Sequence, residues 1–169
     1  MKTKKITLMG VLIALSFVGS LIKIPSPIGT IGFDSAAGFF SALYLGYIPG
    51  SIVITLGYII IAASASFPLG PFTIVVAAEM MGIAMAFRFF YKINFILGII
   101  IATFLNGIAA PLVVLPMGGW GLYMGLVPSL TIASFANIFI SSLVYGVVRK
   151  TSPLSVKKTG SLHDSDNIF

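Results

Sequence analysis

Four carboxylates serve a chain of 169 residues. Two of them, Asp34 and Glu79, lie in apolar surroundings. Asp34 stands in "IGFDSAAGFF" (31–40), at the front of an apolar run and directly after a loop rich in Pro and Gly. Glu79 interrupts "FTIVVAAEMM" (72–81), with no Lys or Arg in that stretch to neutralise it. Tyr58, Asn106 and Asn137 add a phenol and two amides on other apolar stretches. One buried carboxylate with amides and aromatics suits hydrogen-bonded recognition better than bond breaking. There is no Ser/His/Asp set and no GxxxxGK[ST] phosphate loop. The chain has no cysteine, which excludes disulfides and Cys-ligated metals. The lone His163 sits beside Asp164 in a polar tail and reads as solvated. No enzyme activity, cofactor or metal is expected.

The elements that must position these groups belong in a membrane. The chain is 58% hydrophobic and 8% charged, with a mean hydropathy of +1.11. A soluble domain carries about 25% charged residues, and only a bilayer absorbs so much apolar surface. The net charge of +6 flanks apolar segments, as membrane orientation requires, so nucleic acid is not an expected partner.

The apolar segments are long and lack strict alternation, so helices are expected and not a barrel. A first helix covers roughly 6–24, until "IPSPIGTIG" breaks it. The apolar run 36–65 is too long for one span. "GYIPGS" (46–51) divides it into a short second helix, roughly 35–45, and a third, roughly 51–65. A fourth covers roughly 72–90 and a fifth 94–115. "PMGGWGLYMG" (116–125) forms a loop, and a sixth helix covers roughly 127–148. Lys2, Lys4 and Lys5 precede the first helix. Arg149, Lys150, Lys157 and Lys158 follow the last, and Arg88 and Lys92 lie between the fourth and fifth. With six spans and both termini cytoplasmic, nine of the ten Lys and Arg fall inside and only Lys23 outside. The expected protein is thus all-α, with one membrane domain over 1–150 and a polar cytoplasmic tail over 151–169. Residues 1–20 also have the form of a signal peptide, but the apolar run continues past its possible cleavage site.

Depth then selects a site. At about 1.5 Å per residue, Tyr58, Glu79, Asn106 and Asn137 lie about 10–15 Å below the outer surface, on four different helices. An ionisable group at that depth faces a cavity or a partner; the two Asn side chains could equally bond across helices. Asp34 and Ser35, where a loop turns into the second helix, suit an N-cap and a ligand contact at the cavity mouth. Phe67, Trp120 and Tyr123 in the outer loops suit an interfacial belt or a lid over a planar ligand. Gly10, Ala14 and Val18 recur every four residues on one face of the first helix, a spacing that permits close helix approach.

Over residues 5–150 the chain resembles the substrate-binding S component of energy-coupling factor (ECF) vitamin transporters. The resemblance is carried by "MGVLIALSFVGSLIKIPSP", "GTIGFDSAAGFFSALYLGYIPGS" and "SASFPLGP". It implies a six-helix bacterial plasma-membrane protein that binds a vitamin or precursor from outside. It also implies a membrane coupling subunit and two ATPase subunits as partners. The family's AxxxA docking face would fall on Gly10, Ala14 and Val18, with Val18 departing from the pattern. "FDS-x-x-GFF-x-AL-x-LG" and "FPLG" look most like the branch assigned to α-ribazole, a nucleoside precursor of cobalamin, although Tyr58 stands where that branch often carries His. Other S-component ligands (cobalamin, pantothenate, hydroxymethylpyrimidine) and a stand-alone proton-coupled carrier are the alternatives.

Overall fold

The computed structural model describes residues 2–26 and 29–151. The polar tail after Thr151, with His163, Asp164, Asp166, Lys157 and Lys158, lies outside the described residues. The elements in order are α1 (Lys2–Ser20), β1 (Lys23–Ser26), β2 (Gly29–Gly32), α2 (Ser35–Leu45), α3 (Tyr47–Ser64), α4 (Phe72–Ile93) and α5 (Phe95–Phe104). A π-helical turn (Leu105–Ala109), a 3₁₀ turn (Ala110–Val114) and α6 (Leu115–Thr151) complete the described residues. Four helical stretches are long and apolar enough to cross a membrane: Thr3–Ser20, Tyr47–Ser64, Phe72–Ile93 and the continuous run Phe95–Thr151. Large apolar side chains such as Ile74, 78% exposed, and Ile132, 68% exposed, cover the outside. Hydrocarbon, not water, suits that surface.

The first helix begins and ends about four residues earlier than the sequence suggests. It ends at Ser20, and Lys23–Ser26 pairs antiparallel with Gly29–Gly32, Lys23 opposite Gly32 and Ile24 opposite Ile31. Pro25 disfavours helical backbone at Ile24, so the helix cannot run on. The expected loop is therefore a small hairpin that crosses back over the end of α1, where the Phe33 amide donates to Gly19 O at 3.1 Å.

Helices α2 and α3 form a tight helical hairpin. The break falls at Gly46, whose φ of +109° favours glycine, and α3 begins at Tyr47 and not at Ser51. Pro49 thus occupies the first turn of α3, where its missing N–H has no intrahelical partner to lose. Gly50, expected in the turn, lies inside the helix against α2: a Cβ there would meet Ala42 Cα at 2.3 Å. Ser41 Oγ shares its one proton between Gly38 O and, across the hairpin, Gly50 O at 3.0 Å. The Arg88 guanidinium of α4 donates to Ala42 O and Leu43 O, closing the C-terminal end of α2. Arg88 and Lys92 both lie over the ring of Tyr47, at 5.1 and 4.8 Å from its centroid.

A core of Phe39, Ala42, Ala84, Phe87, Ala102 and Ile138 joins α2, α4, α5 and α6. Phe39 and Phe87 meet edge-on at 5.5 Å. A second cluster of Leu12, Ala37 and Val53, with Leu8, Met9 and Leu45 against it, docks α1. These contacts gather charge at one end of the bundle. Leu8 and Met9 of α1 lie with Leu45 at the end of α2, which Arg88 closes, and Tyr91 of α4 touches Tyr145 of α6. Lys4, Lys5, Arg88, Lys92, Arg149 and Lys150 therefore share that end.

The expected loop over 116–125 is helical. The chain nevertheless reverses, because Gly119 alone leaves helical backbone, with φ 61° and ψ −162°. Contacts straddle that residue symmetrically: a Cβ on Gly107 would meet Thr131 Cα at 2.6 Å, and Asn106 bonds to Ser134. The run Phe95–Thr151 is thus a second helical hairpin with its tip at Gly119. Helical backbone bonds serve a membrane protein up to the tip, since unpaired amides are costly there.

Candidate functional site

The second hairpin departs from regular helix at the residues that matter. Residue 111 is proline and has no N–H for Gly107 O, which an α-helix would use. Thr131 Oγ1 donates to that carbonyl at 3.3 Å instead. Tyr123 Oη donates to Ile108 O at 3.1 Å, and the Ala110 amide reaches back five residues to Leu105 O. The result is a π turn that carries Asn106, held by hydroxyls from the facing helix. Such turns frequently occur at functional sites.

Beside this irregular segment lies a cavity of about 300 Å³. Its polar lining is Asp34, Ser35, Tyr58, Asn106, Ser134 and Asn137, and apolar walls come from Val76, Met80, Pro111, Val114, Leu126 and Leu130. Six separate stretches converge there: the loop into α2, α3, the α3–α4 loop, α4, the π/3₁₀ segment and α6. Its volume is at the lower end of small-molecule sites, about 300–1,000 Å³.

Asn137 is 3% exposed, and its Nδ2 donates to Gly32 O at 3.2 Å and Ala133 O at 2.9 Å. Both partners are carbonyls and can only accept, so the amide orientation is fixed, and Oδ1 has no partner. Asn106 is 8% exposed; its Nδ2 donates to Ser134 Oγ at 2.8 Å and its Oδ1 is also unpartnered. Buried polar atoms are normally satisfied. Two bare carbonyl oxygens on residues that line one cavity mark a place where something else bonds.

Asp34 does not cap α2. Its φ of −73° and ψ of −36° are already helical, and its side chain makes no capping bond. A capping residue needs extended backbone to swing its oxygen over the first amides. The Asp34 carboxylate instead accepts from Ser35 Oγ at 2.9 Å and lines the cavity. Burial pushes its pKa above the ordinary carboxylate range, opposed in part by the Ser35 hydroxyl.

Five of the nine candidate ligand residues thus share one cavity: Asp34, Ser35, Tyr58, Asn106 and Asn137. Four do not line it. Glu79 lies beside it, within electrostatic reach of Tyr58, with Oε2 buried and unpartnered. The lining face of α4 belongs to Val76 and Met80. Tyr123 is buried, with its hydroxyl on Ile108 O, and Trp120 packs edge-on against it while remaining 64% exposed. Phe67 is 47% exposed in the α3–α4 loop. It holds a left-handed φ of 52° next to Ser66 at 59°, and Leu69, two residues on, reaches the lining. Ser134 was not foreseen; its i, i+3 spacing from Asn137 on one helix was the available signal. On α1, Gly10, Ala14 and Val18 are exposed, Val18 by 54%, and only 11% of that helix's apolar window is buried.

A solved structure of the S component of a bacterial ECF transporter is similar to this chain. The two share 22% sequence identity over 89% of this chain and 95% of the other, with a TM-score of 0.64. The likeness shows a common fold. No family model and no curated protein sequence matches the chain.

Proposed function

We propose that the chain is the substrate-binding S component of an ECF-type importer in a bacterial plasma membrane, and that its ligand is a vitamin precursor, α-ribazole in the first instance. One observation carries this: on a fold shared with an S component, a cavity brings together a carboxylate and two buried amides with unpartnered oxygens, that of Asn137 fixed by two carbonyl partners. The α-ribazole assignment rests on the "FDS-x-x-GFF" and "FPLG" stretches.

The chain spans the membrane six times, with α2 as the short span and both termini cytoplasmic. The clustering of the described Lys and Arg side chains at the end away from the cavity supports this orientation. Cysteines placed at the exposed positions Lys5 and Lys92 will resist an impermeant thiol reagent in intact cells. One at the exposed Gly119 tip will react. Labelling of Lys5→Cys from outside would refute the topology.

ATP hydrolysis occurs on two separate ATPase subunits, reached through a coupling subunit that docks on the exposed Gly10–Ala14–Val18 face. Ala14→Trp will block the close approach that small residues permit. Uptake by the reconstituted complex will be lost while ligand binding persists. A stand-alone proton-coupled carrier is the competing function, favoured by the unpartnered Glu79 Oε2. Robust ATP-independent uptake by this chain alone in liposomes would establish it.

A further inference from the structure

We infer that the occupant of the cavity is a neutral or positively charged molecule that offers several hydrogen-bond donors and carries no carboxylate or phosphate. This rests on the cavity being a ligand site, as proposed above, and narrows what the site accepts.

The wall is built from acceptors. Asn137 cannot turn its amide nitrogen inward, because that nitrogen already donates to Gly32 O and Ala133 O. Its unpartnered Oδ1 therefore asks for a donor. Asn106 also has an unpartnered Oδ1, its Nδ2 resting on the Ser134 hydroxyl. Asp34 adds a carboxylate whose side-chain partner is the neighbouring Ser35 hydroxyl. Glu79 adds a second carboxyl just behind the wall. Among the described residues no Lys, Arg or His belongs to the lining, and the nearest described guanidinium, Arg88, is committed to the far end of α2. The N-terminus of α2 is a positive feature at this end, with the Asp34 carboxyl immediately before it, and the backbone of Lys23 lies opposite Gly32 in the hairpin.

A polyol, a nucleoside or an amine satisfies such a wall. An anion meets the Asp34 carboxyl, with Glu79 behind the wall, and two carbonyl dipoles, with no countercharge among the described lining side chains. Like charges brought together in a desolvated site are strongly disfavoured, and a donor-seeking site that meets no donor leaves its buried acceptors unpaired. The Tyr58 and Ser134 hydroxyls can still donate, so a ring nitrogen or ether oxygen on the ligand is accommodated. The volume of about 300 Å³ fits a nucleoside-sized molecule and not a complete cobalamin. Among the vitamin-type alternatives, α-ribazole and hydroxymethylpyrimidine remain, whereas pantothenate, with its carboxylate, does not.

The test uses the purified full chain in lipid nanodiscs. Calorimetry measures its affinity for α-ribazole, α-ribazole 5′-phosphate, hydroxymethylpyrimidine and pantothenate, and mass spectrometry identifies any molecule that co-purifies. At least one uncharged or cationic donor will bind, in the panel or as the co-purified molecule. The phosphate and the carboxylate will bind at least about 100-fold more weakly or not at all. In Asp34→Asn the uncharged ligand will bind about tenfold more weakly, and its advantage over its anionic counterpart will narrow. Tight binding of a phosphate or carboxylate overturns the inference and leaves the binding-subunit function standing. An unchanged preference in Asp34→Asn overturns the role given to that carboxylate. Absence of any small-molecule binding, in the panel or on purification, overturns the proposed function itself, and the inference with it.

Discussion

The two helical hairpins are built from similar residues to opposite ends. In α2–α3 the backbones touch at Gly50 and Ala42, and the Ser41 and Ser51 hydroxyls are spent on carbonyls within the hairpin. A guanidinium closes its turn end, at the C-terminus of α2. In α5–α6 the backbones touch just as closely, at Gly107 and Thr131. There a proline, a π turn and a 3₁₀ turn spread the side chains, and two buried amide oxygens go unpaired. Close packing alone therefore does not separate scaffold from site. What separates them is whether the buried polar groups are satisfied by the hairpin itself.

The comparison breaks most easily at Gly50. Valine there would drive its Cβ into Ala42 backbone, and because two backbones meet there, we expect a cost of about 3 kcal/mol, the upper end for overpacking. Thermal unfolding and the yield of monodisperse protein will show it; a variant as stable as wild type would mean that the hairpin is looser than described. Asn137→Ala moves the other hairpin. It removes a ligand partner, so affinity will fall tenfold or more, from the loss of about 1–3 kcal/mol. Melting of the ligand-free protein will change far less. An unaltered affinity would make Asn137 an interhelical brace.

Ser41→Ala sharpens the contrast from the scaffold side. It deletes the bonds to Gly38 O and Gly50 O and should lower stability by about 1 kcal/mol, with ligand affinity unchanged. The smallest effect concerns pH. A donor ligand favours the ionised form of Asp34, whose pKa burial raises above the usual carboxylate value. Affinity will therefore be full above that pKa and decline as pH falls through it, with Tyr58 and Glu79 as the neighbouring titratable groups. Asp34→Asn will flatten the profile; an identical slope in that variant would assign the proton elsewhere.

Much of this was legible before any coordinates. Counting helical rise from the ends placed Tyr58, Asn106 and Asn137 in one layer, and all three line one cavity. The same count put Glu79 at the right depth but carried no angle. Glu79 is one residue before Met80, about 100° around the helix at 3.6 residues per turn, and so falls beside the lining. Ser134 was invisible because a serine in a membrane helix usually bonds its own backbone, as Ser141 and Ser142 do here. Asp34-Ser35 before an apolar run looked like a cap; only the backbone angles reveal that the helical turn has already begun. The stretch 116–125, with four glycines and a proline, read as a loop. In a bilayer the demand for satisfied amides outweighs glycine's low helix propensity, and the reversal contracts to Gly119. The proposed topology, in contrast, rests on the distribution of Lys and Arg, whose placement in a membrane is too costly to be arbitrary.

The central claim is that the unpaired amides and Asp34 form a binding site and not an imperfect core. Native mass spectrometry of the protein released from detergent tests it most directly, comparing wild type, Asn137→Ala, Asp34→Asn and Ser41→Ala prepared identically. A single small-molecule adduct on wild type and Ser41→Ala, lost or sharply reduced in Asn137→Ala and Asp34→Asn, is the expected result. An adduct retained equally in all four, or absent from wild type after growth in rich medium, would contradict it.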